Sequence, residues 1–258
     1  MLKLSDLKLV ESREALKDIP EGKVLINTVN AHSFNVAQKD DAFAEALRTA
    51  HDEEQESGQE GCVRYLIPDG ASIVKACRIL KAKSQPRERV AGWDLFAFEM
   101  KRLERLAANG RKRKVMFMGS SWKVLGLIKE RAAVEYPHLK VVTYSPPFKE
   151  EFSREDNETI IRMINEANPD LLWIGMTAPK QEKWIFQHWK ELDIHCHVGT
   201  IGAVFDFYAG TIKRAPIWWQ DHMVEWLFRL LREPRRMWRR YVVGNPLFVW
   251  NVSRERKD

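Results

Sequence analysis

Between Lys114 and Val198 short β-branched runs alternate with amphipathic segments of helical length, and few folds accept that rhythm. The order is a strand KVMFM, a turn Gly119-Ser120-Ser121, a helix to about Glu135, a strand KVVTY, a loop SPPF and a helix over Glu155–Ala167. A strand DLLWIGM, a loop, a helix over Gln181–Leu192 and a strand HCHV follow. This predicts a Rossmann-like α/β fold, a parallel sheet with helices on both faces and right-handed crossovers. Ligands of such sheets bind at the carboxyl ends of the strands. Gly119-Ser120-Ser121, Thr177–Gln181 and Gly199-Thr200 are therefore expected on one rim.

Upstream, KVLINTV (Lys23–Val29) reads as a buried strand that delivers Thr28 and Asn30 at its exit, followed by a helix over Ser33–Ala50. A second strand, CVRYLIPDG, ends in Pro-Asp-Gly ahead of a helix over Ala71–Lys81. That junction places Asp69 where an acid either faces a ligand or caps the helix. Arg87 and Arg89 then precede a helix starting at Asp94 and running to about Ala107, and Arg89 is a candidate anion ligand or a surface ion-pair partner. The expected organisation is one compact unit of three parts. Residues 1–110 form an N-terminal α/β lobe with the acceptor and catalytic side, 111–215 a Rossmann-like donor-binding part, and 216–258 a basic helical appendage.

GTIGAVFDFYAGTIKRAP (Gly199–Pro216) concentrates three glycines, Asp206 and the Lys213-Arg214 pair. We read it as a turn-rich site in which glycine lets backbone amides approach a ligand and Asp206, set between two phenylalanines, holds a partner. The alternative is a glycine turn whose acid caps a neighbouring helix.

Charge is unevenly placed: residues 211–258 hold 11 basic against 5 acidic residues, the whole of the net charge of +6. A neutral body with a basic, tryptophan-bearing tail points to an anionic ligand or surface. The tail should form two short helices, Trp218–Leu231 and Pro234–Val243, split at Glu233-Pro234 because proline is tolerated only in a first turn. Continued through both, a helical wheel gathers Val224, Leu227, Phe228, Leu231, Trp238 and Val242 on one side and Arg229, Arg232, Arg236 and Arg239 on another, a pattern suited to a headgroup layer or to packing on its own domain.

Other classes are disfavoured. No apolar run approaches a membrane span, and the charged start MLKLSDLKLVESREALKD is unlike a secretory leader, so a cytoplasmic location is expected. Three scattered cysteines suit neither a disulfide framework nor a zinc site, and His195 and His197 lack a third ligand, so no metal is expected. Neither GxGxxG nor GxxxxGK[ST] is present, which disfavours a nicotinamide enzyme and a P-loop.

The segments TVN, PDG, ERVAGWDL, YPHLKVVTYSPPF, PDLLWIGMTAPKQEKWI, GAVFDFYAGTIKRAP and EWLFRLLREPRRMWRRY follow one another as in the WecG/TagA/CpsF glycosyltransferases, family 26, which the chain resembles from about Lys23 to Asn245. The resemblance implies a metal-independent, inverting transfer of a sugar from a nucleotide sugar, usually a UDP-sugar, to a polyprenyl-diphosphate-linked saccharide at the cytoplasmic membrane face. It puts Thr28, Asn30, Asp69, Arg89, Gln181 and Asp206 in the pocket, with Asp69 as general base. Gly119 and Gly199 fall on the donor side. Arg229, Arg236 and Arg239 fall on an appendage that approaches the anionic membrane and closes over the site. The chain departs from many relatives in having Met176-Thr177-Ala178, Gly119-Ser120-Ser121-Trp122 and Met223-Val224 where they carry glycine, and the first two lie on the donor side. The competing reading is a nucleic-acid-binding module built on the basic tail; a neutral body offers it no wider basic groove, so no nucleic-acid partner is expected. Homo-oligomerisation stays open.

Overall fold

The computed structural model describes residues 1–49, 62–216, 218–219 and 225–256, with the backbone alone at 225, 229 and 236. Six parallel strands form one sheet in the order β2-β1-β6-β5-β3-β4. They are β1 Val24–Val29, β2 Val63–Pro68, β3 Arg113–Gly119, β4 Leu139–Tyr144, β5 Leu171–Gly175 and β6 His197–Thr200. The expected alternation of strand and helix is present. The two N-terminal strands join the same sheet through β6, so the pairing runs without interruption across the boundary between residues 1–110 and 111–215.

Side chains alternate across a strand, and both faces of this sheet are apolar and covered. One face packs Phe96, Phe117, Trp173, Phe205 and Tyr208. The other packs Met116, Met118, Leu172, Ile174, Trp184 and Trp189. The helices on these faces are α4 (Gly92–Ala108), α5 (Trp122–Glu135), α6 (Arg154–Ala167), α7 (Lys180–Gln187) and α8 (Gly202–Ala209).

The segment expected as one helix over Ser33–Ala50 is two, α1 (Ala31–Ala37) and α2 (Asp41–Leu47). Each has its own start signal, which stops the first and begins the second. Asn30 Oδ1 accepts from the backbone N–H groups of His32 and Ser33, at 3.0 Å each, and Asp40 Oδ1 accepts from Phe43 N–H at 2.9 Å. After β2 comes α3 (Ala71–Leu80).

Gly199–Pro216 is less turn-rich than its glycines suggest. Its first residues end β6, and GAVFDFYA is the helix α8, closed by Gly210 in the left-handed conformation. Apolar residues at 204, 205 and 208 bury one helical face, and that burial outweighs the low intrinsic preference of the glycines.

The C-terminal region forms α9 (Glu225–Arg232) and, after a break at Glu233, α10 (Pro234–Trp238) with proline in its first turn. A π-helical turn over Arg239–Val243 leads into α11 (Gly244–Glu255), a helix the sequence reading did not foresee. This last helix packs on α1. Phe248 meets Phe34 edge-on at 5.6 Å, and Asn251 Nδ2 donates to Asn35 Oδ1 at 2.9 Å. The Glu255 carboxylate accepts from the backbone N–H groups of Leu4 and Ser5 at 3.0 and 2.7 Å. The described residues 225–243 therefore lead directly into the docked α11, and Ala215, upstream of them, is buried.

His195 is exposed, whereas His197 is buried with Nδ1 3.0 Å from Glu99 Oε1 and Nε2 donating to Pro20 O at 2.8 Å. Among the described residues no helix is long and apolar enough to cross a membrane, and no three His, Cys, Asp or Glu side chains gather to hold a metal ion.

Candidate active site

All six strand exits open into one cleft of about 1450 Å³. β1 contributes Thr28 and Asn30, β2 Asp69, β3 Ser120, β4 the loop Pro146–Phe152, β5 Met176 to Gln181, and β6 Thr200 and Ile201. The parallel sheet thus places at one edge the six residues that the resemblance puts in the pocket, Thr28, Asn30, Asp69, Arg89, Gln181 and Asp206.

Asp69 follows the last residue of β2, and its backbone N–H donates to Val29 O at 2.8 Å, which fixes it beside the β1 exit. Gly70, with φ 149°, is the N-cap of α3 and supplies no side-chain cap. The starts of α7 at Pro179 and α8 at Ile201 likewise lack a side-chain cap and border the same cleft. Uncapped amides at helix N-termini favour anions, and three such helix starts border this one cleft. Arg89 and Arg214 add fixed positive charge, the latter lying 5.2 Å over the Trp93 ring. Asp206 is half-buried on α8 and accepts from Thr211 Oγ1 at 3.1 Å.

Gln181 is 4% exposed, and its amide is used twice within the protein. Oε1 accepts from Met176 N–H at 3.1 Å, and Nε2 donates to Glu182 Oε1 at 2.8 Å. The side chain therefore pins the β5 exit loop as well as lining the cleft. Glu182 is 2% exposed, its Oε2 has no hydrogen-bond partner, and burial pushes its carboxyl pKa up to about 7. Sequence reasoning passed over this residue; a lone acid in PKQEKW carries no signal of its burial.

Gly119 and Gly199, expected on the donor side of the pocket, lie one residue behind the cleft lining, which is formed by Ser120 and Thr200. Both serve packing. A Cβ at Gly119 would stand 2.4 Å from Gly175 O, and one at Gly199 would stand 2.2 Å from the Trp173 ring. The side chains of Arg229 and Arg236 lie outside the described residues. Arg239, expected with them on the appendage that closes over the site, is exposed and does not line the cleft; Arg240 and Arg256 do. Arg240 stands near His32, whose imidazole pKa is lowered by burial and then by that guanidinium.

The family model of the WecG/TagA/CpsF glycosyl transferases matches residues 2–258. The chain belongs to this family. It is similar to the N-acetylglucosaminyldiphosphoundecaprenol N-acetyl-beta-D-mannosaminyltransferase of Bacillus subtilis (strain 168), with 28% identity over 235 residues, 91% of this chain and 80% of that protein. The enzyme of the same name from Staphylococcus aureus (strain MW2) is 25% identical over 91% of this chain and 81% of its own length. The one from Bacillus spizizenii is 28% identical over 75% of this chain and 69% of its own length. As a WecG/TagA/CpsF glycosyl transferase the chain is an enzyme, and its cleft is the candidate active site.

Proposed function

We propose that this enzyme transfers an N-acetylhexosamine such as N-acetylmannosamine from its UDP-activated form to the sugar of a polyprenyl-diphosphate saccharide, with inversion at the anomeric carbon and without a metal ion. The observation that carries the reading is Asp69, held at the β2 exit in a cleft whose other walls offer uncapped helix N-termini and arginines. Asp69 takes the proton of the acceptor hydroxyl as its oxygen attacks the anomeric carbon. The bond from that carbon to the donor's diphosphate oxygen breaks, and the nucleoside diphosphate leaves with the electron pair. The helix N-termini, Arg89 and Arg214 stabilise the charge that develops on the diphosphate. The partners follow from this chemistry: a nucleotide-sugar donor, a lipid-linked acceptor and the anionic inner face of the plasma membrane. Leu231, Trp238 and Val242 are 67, 54 and 41% exposed on the appendage, and they suit a peripheral approach to that surface.

Asp69→Asn tests the reading. Turnover should fall by roughly 10²–10⁴-fold while UDP affinity, measured by calorimetry, stays unchanged. Near-normal turnover at saturating donor and acceptor would remove Asp69 as the base.

A further inference from the structure

The cleft continues past Asp69 into a groove between α3 and α11. Ser72, Lys75, Ala76 and Ile79 of α3 line it, and so do Asn245, Phe248, Val249, Val252, Ser253 and Arg256 of α11. Each set is spaced i, i+3, i+4, i+7, which puts it on a single face of its helix. Two helical stripes thus face a common channel. At about 1.5 Å per residue it extends roughly 10 Å along α3 and roughly 16 Å along α11.

The channel has a direction. α3 starts at Asp69-Gly70, so residues 72 to 79 lead away from the proposed base. At the near end His32 opens α1, and Arg240 lines the cleft one turn before Gly244, whose carbonyl accepts from Asn35 Nδ2 of α1 at 2.7 Å. The C-terminal end of α11 lies beside the end of α3, since Ser5 donates its N–H to Glu255 Oε1 at 2.7 Å and accepts from Lys83 N–H, just after α3, at 2.9 Å. Going outward from Asp69 along α3, the groove offers an acid, then Ser72 and Lys75 with Arg240 opposite, and then an aliphatic stretch, with Ser253 and Arg256 of α11 bordering its outer end. Ala76, Phe248 and Val252 floor that stretch at 3, 4 and 6% exposure, while Ile79 and Val249 stand open on its walls at 54 and 62%. Open aliphatic walls over a closed apolar floor gain by covering with an apolar chain.

We propose that this groove is the prenyl-chain subsite of the acceptor, with the diphosphate over Ser72, Lys75 and Arg240 and the first isoprene units over Ala76, Ile79, Val249 and Val252. The proposal rests on the reading of the acceptor as a polyprenyl-diphosphate saccharide. The order of groups in that molecule, hydroxyl, diphosphate, hydrocarbon, is the order of the chemistry along α3. Such a site recognises the acceptor by its lipid and sets the acceptor's KM, leaving the proton transfer at Asp69 to the sugar end.

The test compares farnesyl diphosphate, below its critical micelle concentration, with inorganic diphosphate by titration calorimetry on the full chain. Farnesyl diphosphate should bind at least about tenfold more tightly, as expected for covering a few aliphatic groups. Ile79→Gln with Val249→Gln changes two exposed side chains and should bring the ratio to within about twofold. Lys75→Ala should weaken both ligands alike. Trp250→Gln, at an exposed residue outside the cleft lining, should keep the ratio. Equal binding of the two ligands by the wild-type chain, a ratio that survives the double substitution, or a ratio lost equally in Trp250→Gln would each overturn the groove. Transfer assays separate this from the reaction itself. If GlcNAc-diphosphate acceptors carrying farnesyl or methyl are used with the same KM, the groove falls and the reaction stands. If neither accepts sugar while the farnesyl preference persists in calorimetry, the reaction falls and the groove stands as a prenyl-diphosphate site.

Discussion

Gly202→Ala puts the closeness of α8 to the β5 exit on trial. Gly202 is the first residue of α8, and a Cβ there would stand 2.2 Å from Met176 O and 3.0 Å from Gln181 Oε1. Cβ atoms essentially never come within 3.0 Å of such an atom, so the helix or the loop must move by about 0.8 Å. Neither can yield freely. The loop is tied to Gln181 through the Met176 N–H bond, and α8 is seated by Phe205, whose ring occupies the place of a Cβ on Gly175. Overpacking of this kind costs about 1–3 kcal/mol, part of which alanine returns through its better helix propensity. The net should be about 1–2 kcal/mol, or roughly 2–8 °C in Tm for a chain above 150 residues. The effect on catalysis should be larger, because α8 carries Asp206 and the loop carries the cleft wall; a displacement near 1 Å is worth about 10²-fold in rate. The control is Gly126→Ala on an exposed face of α5, where a Cβ meets nothing within 4 Å. It should stabilise by about 0.5–1 kcal/mol and leave turnover unchanged. Both variants are compared by thermal melting and by UDP release with a soluble lipid-diphosphate acceptor. If Gly202→Ala matches Gly126→Ala in both measurements, the contact is slack and the argument from packing fails.

The folded chain keeps a proton on Glu182 up to about pH 7, whereas the unfolded chain releases it near 4.5, so stability should fall as pH rises through that window and level off above it. The loss is on the order of 3 kcal/mol; Glu182→Gln should flatten it in urea melts between pH 5 and 8, and parallel profiles for the two proteins would contradict the burial argument. Arg240→Ala should raise the KM for a water-soluble lipid-diphosphate acceptor by about tenfold, in line with a charged hydrogen bond of about 1.5 kcal/mol, and Arg239→Ala should not. The reverse ranking would restore the continuous helical wheel. Turnover should persist in EDTA, and its loss with rescue by one divalent ion would refute phosphate stabilisation by arginines and helix N-termini alone.

The local signals in the chain were sufficient for the alternating strands and helices and for Asp69 at a strand exit, because turn residues, caps and hydrophobic period act within a few positions of one another. The break at Glu233-Pro234 was legible for the same reason: proline acts on its own turn. Membership of one cleft by Thr28, Asn30, Arg89 and Asp206 was legible only through the resemblance and through the rule that parallel strands end on one side. Other features depend on contacts far apart in sequence. That β6 lies between β1 and β5, that GAVFDFYA is a helix seated through Phe205 on Gly175 of β5, and that Glu182 is desolvated follow from what packs above each segment. α11 is the clearest case. Its place is set by Phe34, Asn35 and the backbone of Leu4 and Ser5, more than 200 residues away, with separations of 216, 250 and 251 for the hydrogen bonds. The wheel that set Arg239 beside Arg229, Arg232 and Arg236 assumed a constant helical phase, which the break at Glu233 and the π turn over Arg239–Val243 interrupt. Sequence fixes the period a segment prefers; burial against distant partners decides which face, which neighbour and which protonation state it ends with.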